Sequence, residues 1–397
     1  MFDLLFVFFL LFGYKFGFFD TSFFVPLAIL VPFSLLKKRP SWIGGKITLP
    51  NEIRFLMMLM FFILILSILS ALLNSSNIVL EYILKPVKVI LLVCISYWYL
   101  KERGIKPDRA LKILCYVALC NSIVVMLQYI FDYFLGVKDF MYHPEIGTYT
   151  PFRKPGLTSG FPTSGLISAI GAFISFYFYM LESKKKWLFL LLLMCISVFL
   201  SARSSMYAFL IIMPILILYY AIYFKRFAPL LIIPSVLGYL VFASITSDHP
   251  LIVGTVSKMF ANIFNFLETG SFHDYSTSQL VSEEHLSYPS DIKTFLIGNS
   301  LPKTNFFQPS DISFVRVIWS NGIFSLLTYI LAFFYVCYLA VTKTLNKAHK
   351  VLFSAIFVMV FILLFKGPYL FSSTVGPLVL FLFALSISNE KQRICSQ

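Results

Sequence analysis

Residues 199–227 read FLSARSSMYAFLIIMPILILYYAIYFKRF, and this stretch decides the fold. Between Arg203 and Lys225 it carries no charged residue. The hydrocarbon core of a bilayer takes about 20 apolar residues as a helix. In lipid every backbone polar group must be paired within its own segment, so the stretch reads as a membrane-spanning helix. It is closed at one end by a tight turn holding Arg203 and at the other by a basic pair. The same grammar repeats along the chain.

Working outward, twelve spans account for the sequence. They cover about 2–14, 22–36, 53–73, 78–100, 110–135, 162–181, 187–200, 206–224, 228–246, 312–341, 351–366 and 370–388. The connections KKRP (37–40), KERGIKPDR (101–109), ESKKK (182–186), KRF (225–227) and TKTLNKAHK (342–350), with the tail NEKQRICSQ, then fall on one side. By the positive-inside rule that side is the cytoplasm, and both termini lie there. The apolar N-terminus lacks a basic leader region and a small-residue cleavage site, so it reads as the first span. The expected architecture is an all-α, polytopic helical bundle, a single membrane domain over 1–397. One long extracytoplasmic loop at 247–310, carrying short helices, separates spans 9 and 10.

Composition agrees. Of 397 residues, 59% are hydrophobic, 18% aromatic and 13% charged, against about 25% charged in soluble domains. The net charge of +14 is concentrated in the cytoplasmic connections, which reads as topology and not as a nucleic-acid surface. None of the six cysteines lies in the long loop, so no disulfide framework is expected there. No CxxC or Cys/His spacing points to a metal.

Within the loop, VSKMFANIFNFLETG (256–270) sets Val256, Met259, Phe260, Ile263, Phe264 and Leu267 at helical spacing, with Ser257, Asn262, Asn265 and Glu268 opposite. This predicts a helix lying on the outer membrane face, over a cavity, or simply packed in the loop.

Three arginines stand out as anion-binding candidates. Arg153 opens FRKPGLTSGFPTSG, Arg203 sits in SARSS, and Arg316 lies in SDISFVRVIWSNG about one turn inside span 10. A guanidinium stays charged and offers a planar fork suited to phosphate and diphosphate. The plain alternative is an anchor to lipid headgroups or a nearby acid; for Arg316 that acid is Asp311. Span 4 places Glu81, Lys85 and Lys88 on one helix face. Glu81 can pair with Lys85, leaving Lys88 either to find an inward partner or to help hold an anionic headgroup. Lys366 reads as a snorkelling residue. Candidate general bases are His273, Asp274, Glu283, Glu284, His285 and Asp311, with His285 and Asp311 ranked first. An ordinary solvated loop charge is the alternative for each. There is no P-loop, GxSxG or HExxH motif and no cytoplasmic domain, which argues against ATP-driven transport by this chain alone.

Four stretches carry a resemblance. FRKPGLTSGFPTSG resembles an external Arg-x-x-Gly segment, FLSARSSMYAF resembles a Ser-Arg turn between spans, and FLIGNSLPK followed by SDISFVRVIWSNGIF resembles a loop end and a helix closing on Gly-Ile. With the late external loop, these look like the Wzy-type polysaccharide polymerases of the O-antigen polymerase/ligase superfamily, over roughly residues 150–390. The resemblance implies a glycosyltransferase of the bacterial cytoplasmic (inner) membrane, active at its outer face. Its substrates would be oligosaccharide repeat units on undecaprenyl diphosphate, joined into O-antigen or capsular polysaccharide. It implies no metal or nucleotide cofactor, and membrane lipid and a chain-length regulator as partners. Arg153, Arg203, Arg316 and Lys88 would hold the diphosphate, with His285 or Asp311 as base. The ligase branch, which passes the chain to lipid A-core, is the nearer alternative; the loop histidines in HDYST and HLSYP do not match its pattern. A lipid-linked sugar transporter is the other, although the chain shows no similar halves.

Overall fold

A computed structural model of the chain describes residues 2–16, 19–36, 49–74, 80–144, 146, 149–226, 238, 246, 250–270, 287–299, 312–364 and 374–394. The described chain is helical apart from one antiparallel pair of two-residue strands, Lys15–Phe16 and Phe19–Asp20. The helices are α1 (Phe2–Leu11), α2 (Thr21–Leu36), α3 (Asn51–Leu73), α4 (Leu80–Arg103), α5 (Pro107–Leu135), α6 (Phe161–Glu182), α7 (Lys185–Ser201) and α8 (Arg203–Phe224). They continue with α9 (Pro250–Met259), α10 (Ala261–Thr269), α11 (Ile292–Ile297), α12 (Ser313–Thr342), α13 (Lys347–Leu364) and α14 (Val375–Ile394).

Six of these, α3, α5, α6, α8, α12 and α13, are long and apolar enough to cross a membrane, and α1, α2 and α14 hold shorter apolar segments. The protein is thus a helical membrane protein. Among the described residues these are six of the expected twelve. Helix α7, with 17 residues, is short, and α4 carries charges at both ends. Span 9 lies outside the described residues.

The chain forms two compact units. Unit 1 comprises Met1–Ala110, Ser278–Phe353 and Leu364–Gln397, and unit 2 comprises Leu111–Thr277 and Ser354–Leu363. In unit 1, α4 packs on α2, α3 and α14, and α12 packs on α3, α11 and α14. Charged ties join the helix ends. Asp3 accepts from Tyr99 (2.5 Å), Arg103 (3.1 Å) and Arg109 (2.6 Å). Glu52 pairs with Lys343 at 3.0 Å, and Asp108 with His349 at 2.9 Å.

Lys88 has its partner in unit 1: its ammonium meets Asp20 at 2.5 Å. Burial pushes the Asp20 pKa up, but the Lys88 charge and bonds from Lys88 and Ser22 outweigh it, so the carboxyl titrates below its ordinary value. A carboxylate depressed in this way stabilises above its unfolded pKa of about 4 and loses that contribution as pH falls through the lower folded value. Asp20→Asn is therefore expected to flatten the acid limb of thermal stability below about pH 4. Unfolding of both proteins in detergent across that range checks it.

Helix α12 was expected to be one continuous span. It is broken at Gly322, whose φ of 79° and ψ of 171° are non-helical. A Cβ there would stand 2.2 Å from the Leu296 carbonyl oxygen, and a Cβ on Gly298 would stand 2.4 Å from that of Ser320. The two glycines thus let the α11 backbone press into the break. Asn299 N–H donates to the Trp319 carbonyl at 2.9 Å, and Asn74 donates to that of Gly298 at 2.9 Å. Arg316 therefore stands in the helical segment before the kink, at the start of the candidate span Ser313–Thr342.

Unit 2 is organised around α6. Its face of small residues lets neighbours approach closely, which drives helix association where lipid removes the hydrophobic incentive. A Cβ on Gly165 would meet the Ser205 Oγ at 2.0 Å, and one on Gly171 the Ala118 Cβ at 2.7 Å.

Candidate functional site

The candidate site is the end of unit 2 where α5 and α7 finish and α6 and α8 begin. Asn121, Gln128 and Asp132 lie at i, i+7 and i+11 along α5, which places them on one helical stripe. Each holds the segment 149–160. Gln128 clasps Gly156 from both sides, accepting from its N–H at 2.9 Å and donating to its carbonyl at 3.0 Å. Asn121 accepts from Leu157 N–H at 2.9 Å and donates to Ser164 Oγ at 3.0 Å. Ser168 continues the polar seam to Ser197 on α7 at 2.8 Å. Gly156 has φ +58°, and a Cβ on it would fall 2.3 Å from Asn121 Oδ1.

Asp132 anchors the other half of the segment. It binds the Lys154 ammonium in an ion pair and accepts from the Tyr149 hydroxyl at 2.7 and 2.6 Å. The Lys154 side chain is 0% exposed. Its ammonium also lies 5.1 Å from the centre of the Tyr149 ring, and Lys138 lies 5.7 Å from that ring. Burial lowers the Lys154 pKa, against the opposing pull of Asp132. Burial, then the bond to Asp132, raises that of Tyr149.

This scaffold brings together two of the sequence candidates. The Lys154 N–H donates to the Leu200 carbonyl at 3.0 Å, seating the segment on the end of α7. Arg153 is the next residue on one side, and Arg203, first residue of α8, follows Leu200 by three. Both side chains are half-buried. Beside Arg203, the Ser204 Oγ is buried without a hydrogen-bond partner among the described residues. Arg316 and Lys88 belong to unit 1. His285 and Asp311, with His273, Asp274, Glu283 and Glu284, lie outside the described residues, as does Lys366.

The loop helix adds a cover. One helix over 256–267 was expected, but two form, α9 and α10, separated at Phe260. The first begins at Pro250, and its Gly254 lies flush on Phe152, where a Cβ would meet the ring at 2.4 Å. Thr255 shares a hydrogen bond with Tyr129 at 3.1 Å. Phe260 lies against Phe199 with ring centres 6.4 Å apart. Leu267 remains 74% exposed.

Lys154, Asp132, Tyr149, Asn121 and Gln128 were not singled out in the sequence. The polar stripe on an otherwise apolar α5 is the signal that marks them. Asn121→Ala is expected to cost about 1–3 kcal/mol, because it strands the Leu157 N–H in a buried site. Faster amide exchange at 154–158 is the accompanying change to measure.

Comparison of the sequence with protein-family models and with curated proteins finds no match.

Proposed function

We propose that this protein is a membrane glycosyltransferase that polymerises lipid-diphosphate-linked oligosaccharide repeat units at the outer face of the bacterial cytoplasmic membrane. The observation that carries the reading is the placement of Arg153 and Arg203 at one end of unit 2 on a braced scaffold. Two half-buried arginines beside a hydroxyl with no hydrogen-bond partner among the described residues suit a diphosphate. A diphosphate leaving group gains negative charge as the glycosidic bond to it breaks. Fixed cations aimed at that charge stabilise the transition state more than the ground state.

In this reading one lipid-linked chain is the donor. A hydroxyl on the terminal sugar of a second unit attacks the donor's anomeric carbon, the carbon–oxygen bond to the diphosphate breaks, and a base takes the hydroxyl proton. Arg153 and Arg203 hold the diphosphate, and α9 shields the site from water. For His285 and Asp311 the role of base, and for Arg316 and Lys88 of unit 1 that of diphosphate contacts, rest on the sequence resemblance alone. The cytoplasmic placement of both termini and of the basic helix ends belongs to the same proposal. The joining of Asp3 to Arg103 and of Glu52 to Lys343 supports it, since each pair was expected on one side.

The test is reconstitution in proteoliposomes with a purified lipid-linked repeat unit. Extension of the sugar chain is expected. Movement of the unit across the bilayer without extension would replace this reading with transport, and extension only onto lipid A-core would replace it with ligation.

A further inference from the structure

The other end of unit 2, where α6 and α8 finish and α7 begins, is strongly cationic. Lys112, Lys184, Lys185, Lys186, Lys225 and Arg226 share it with one carboxylate, Glu182. Glu182 is already occupied: it binds Lys112 at 2.6 Å and Lys184 at 3.1 Å, and accepts from the Trp187 indole N–H at 3.0 Å. Among the described residues no carboxylate pairs with Lys185, Lys186, Lys225 or Arg226.

These charges are held together by construction. Arg226, 43 residues along the chain from Ser183, donates one nitrogen to the Met180 carbonyl at 2.6 Å and to the Ser183 hydroxyl. This fixes its guanidinium on the α6–α7 turn and leaves its other donors available. Lys184 is the N-cap of α7, and Lys185 and Lys186 follow with no acid in the first turn. Three lysines at the positive end of a helix dipole reverse the favourable arrangement. Glu182 answers Lys184, while Lys185, Lys186 and Arg226 have no carboxylate partner among the described residues.

The surroundings say which anion. The exposed Tyr223 at the end of α8 stacks on Tyr219 with ring centres 5.8 Å apart. Such aromatics mark the level of lipid headgroups. Next to them, Phe189, Leu218 and Ile222 present exposed apolar surface. An exposed cation cluster beside exposed apolar surface is the arrangement that suits a phospholipid headgroup and its chains.

We propose that the α6–α7 turn and the C-terminus of α8 form a binding site for the headgroup of an anionic phospholipid. Lys185, Lys186 and Arg226 contact its phosphate groups. The site is at the opposite end of unit 2 from Arg153 and Arg203 and does not depend on the function proposed for them.

Native mass spectrometry of the full-length protein in detergent tests this, with cardiolipin and phosphatidylcholine of matched chains as probes. Cardiolipin is expected to stay bound at concentrations where phosphatidylcholine does not. The K185Q/K186Q/R226Q protein is expected to bind it on the order of a hundred-fold more weakly. The milder K185Q/K186Q protein, altered only at exposed side chains, is expected to lose about tenfold or more, and K138Q nothing. Equal retention of the two lipids, or undiminished cardiolipin binding by K185Q/K186Q, would overturn the proposal. So would displacement of cardiolipin by equimolar inorganic phosphate, which would assign the site to a free anion.

Discussion

Lys154→Met is expected to destabilise unit 2 by about 3–5 kcal/mol, because it leaves a buried carboxylate without its counter-charge. The Asp132 side chain is 8% exposed and faces a fully buried ammonium. Removing the cation leaves Asp132 with the Tyr149 hydroxyl, which does not neutralise it. The second substitution separates pairing from packing. Asp132→Asn with Lys154→Met removes both charges and is expected to recover most of the loss, since a buried ion pair adds little net stability over a well-packed neutral replacement. Thermal unfolding of the two single variants and the double variant in detergent supplies the cycle. If Lys154→Met unfolds like the parent protein, the pair is not a buried brace and the segment carrying Arg153 is held by Gln128 and Asn121 alone.

Gly322→Ala is expected to cost about 3 kcal/mol or more, because a φ and ψ open only to glycine and a backbone collision act together. The added methyl would stand 2.2 Å from a carbonyl oxygen, and no rotamer change can move backbone aside. Either α11 leaves the kink or α12 straightens. Both break the bonds from Asn299 to Trp319 and from Asn74 to Gly298, so amide exchange over 287–299 should rise sharply. Gly104→Ala is the matched control. Its φ is also positive, at 55°, but nothing lies within 4 Å of the added Cβ. It should cost about 1 kcal/mol. Equal effects at both positions would mean that the contact between α11 and α12 contributes no stability.

The helices were legible because lipid imposes a simple rule on sequence. Long uncharged runs such as 204–224 must be helical, and α3, α5, α6, α8, α12 and α13 follow that rule. The kink in α12 was not legible. Ser320 and Asn321 before Gly322 mark a polar interruption but not its geometry, which is set by α11, a partner distant in sequence. The site was half legible. Arg153 and Arg203 announce themselves as charges next to spans, whereas their neighbour Lys154 looks equally exposed and is wholly buried. What buries it is Asp132, and only the spacing of Asn121, Gln128 and Asp132 hints at it. Lys88 shows the same limit. Its need for a partner was visible in span 4, but Asp20 lies in a turn 68 residues earlier and comes to it only through the packing of α2 on α4. The break between α9 and α10 escaped for a similar reason, since the contact of Phe260 with Phe199 at the break is a tertiary one.

The most direct test of the proposed chemistry is the rate of chain extension by Arg153→Ala and Arg203→Ala proteins in proteoliposomes supplied with lipid-linked repeat units. Thermal unfolding of each variant in the same detergent separates a loss of folding from a loss of chemistry. Each should extend chains about a hundred-fold or more slowly, the scale of losing one fixed charge-stabilising group at a developing anion. Full extension by both variants would contradict the account and remove the end of unit 2 as the site of diphosphate binding.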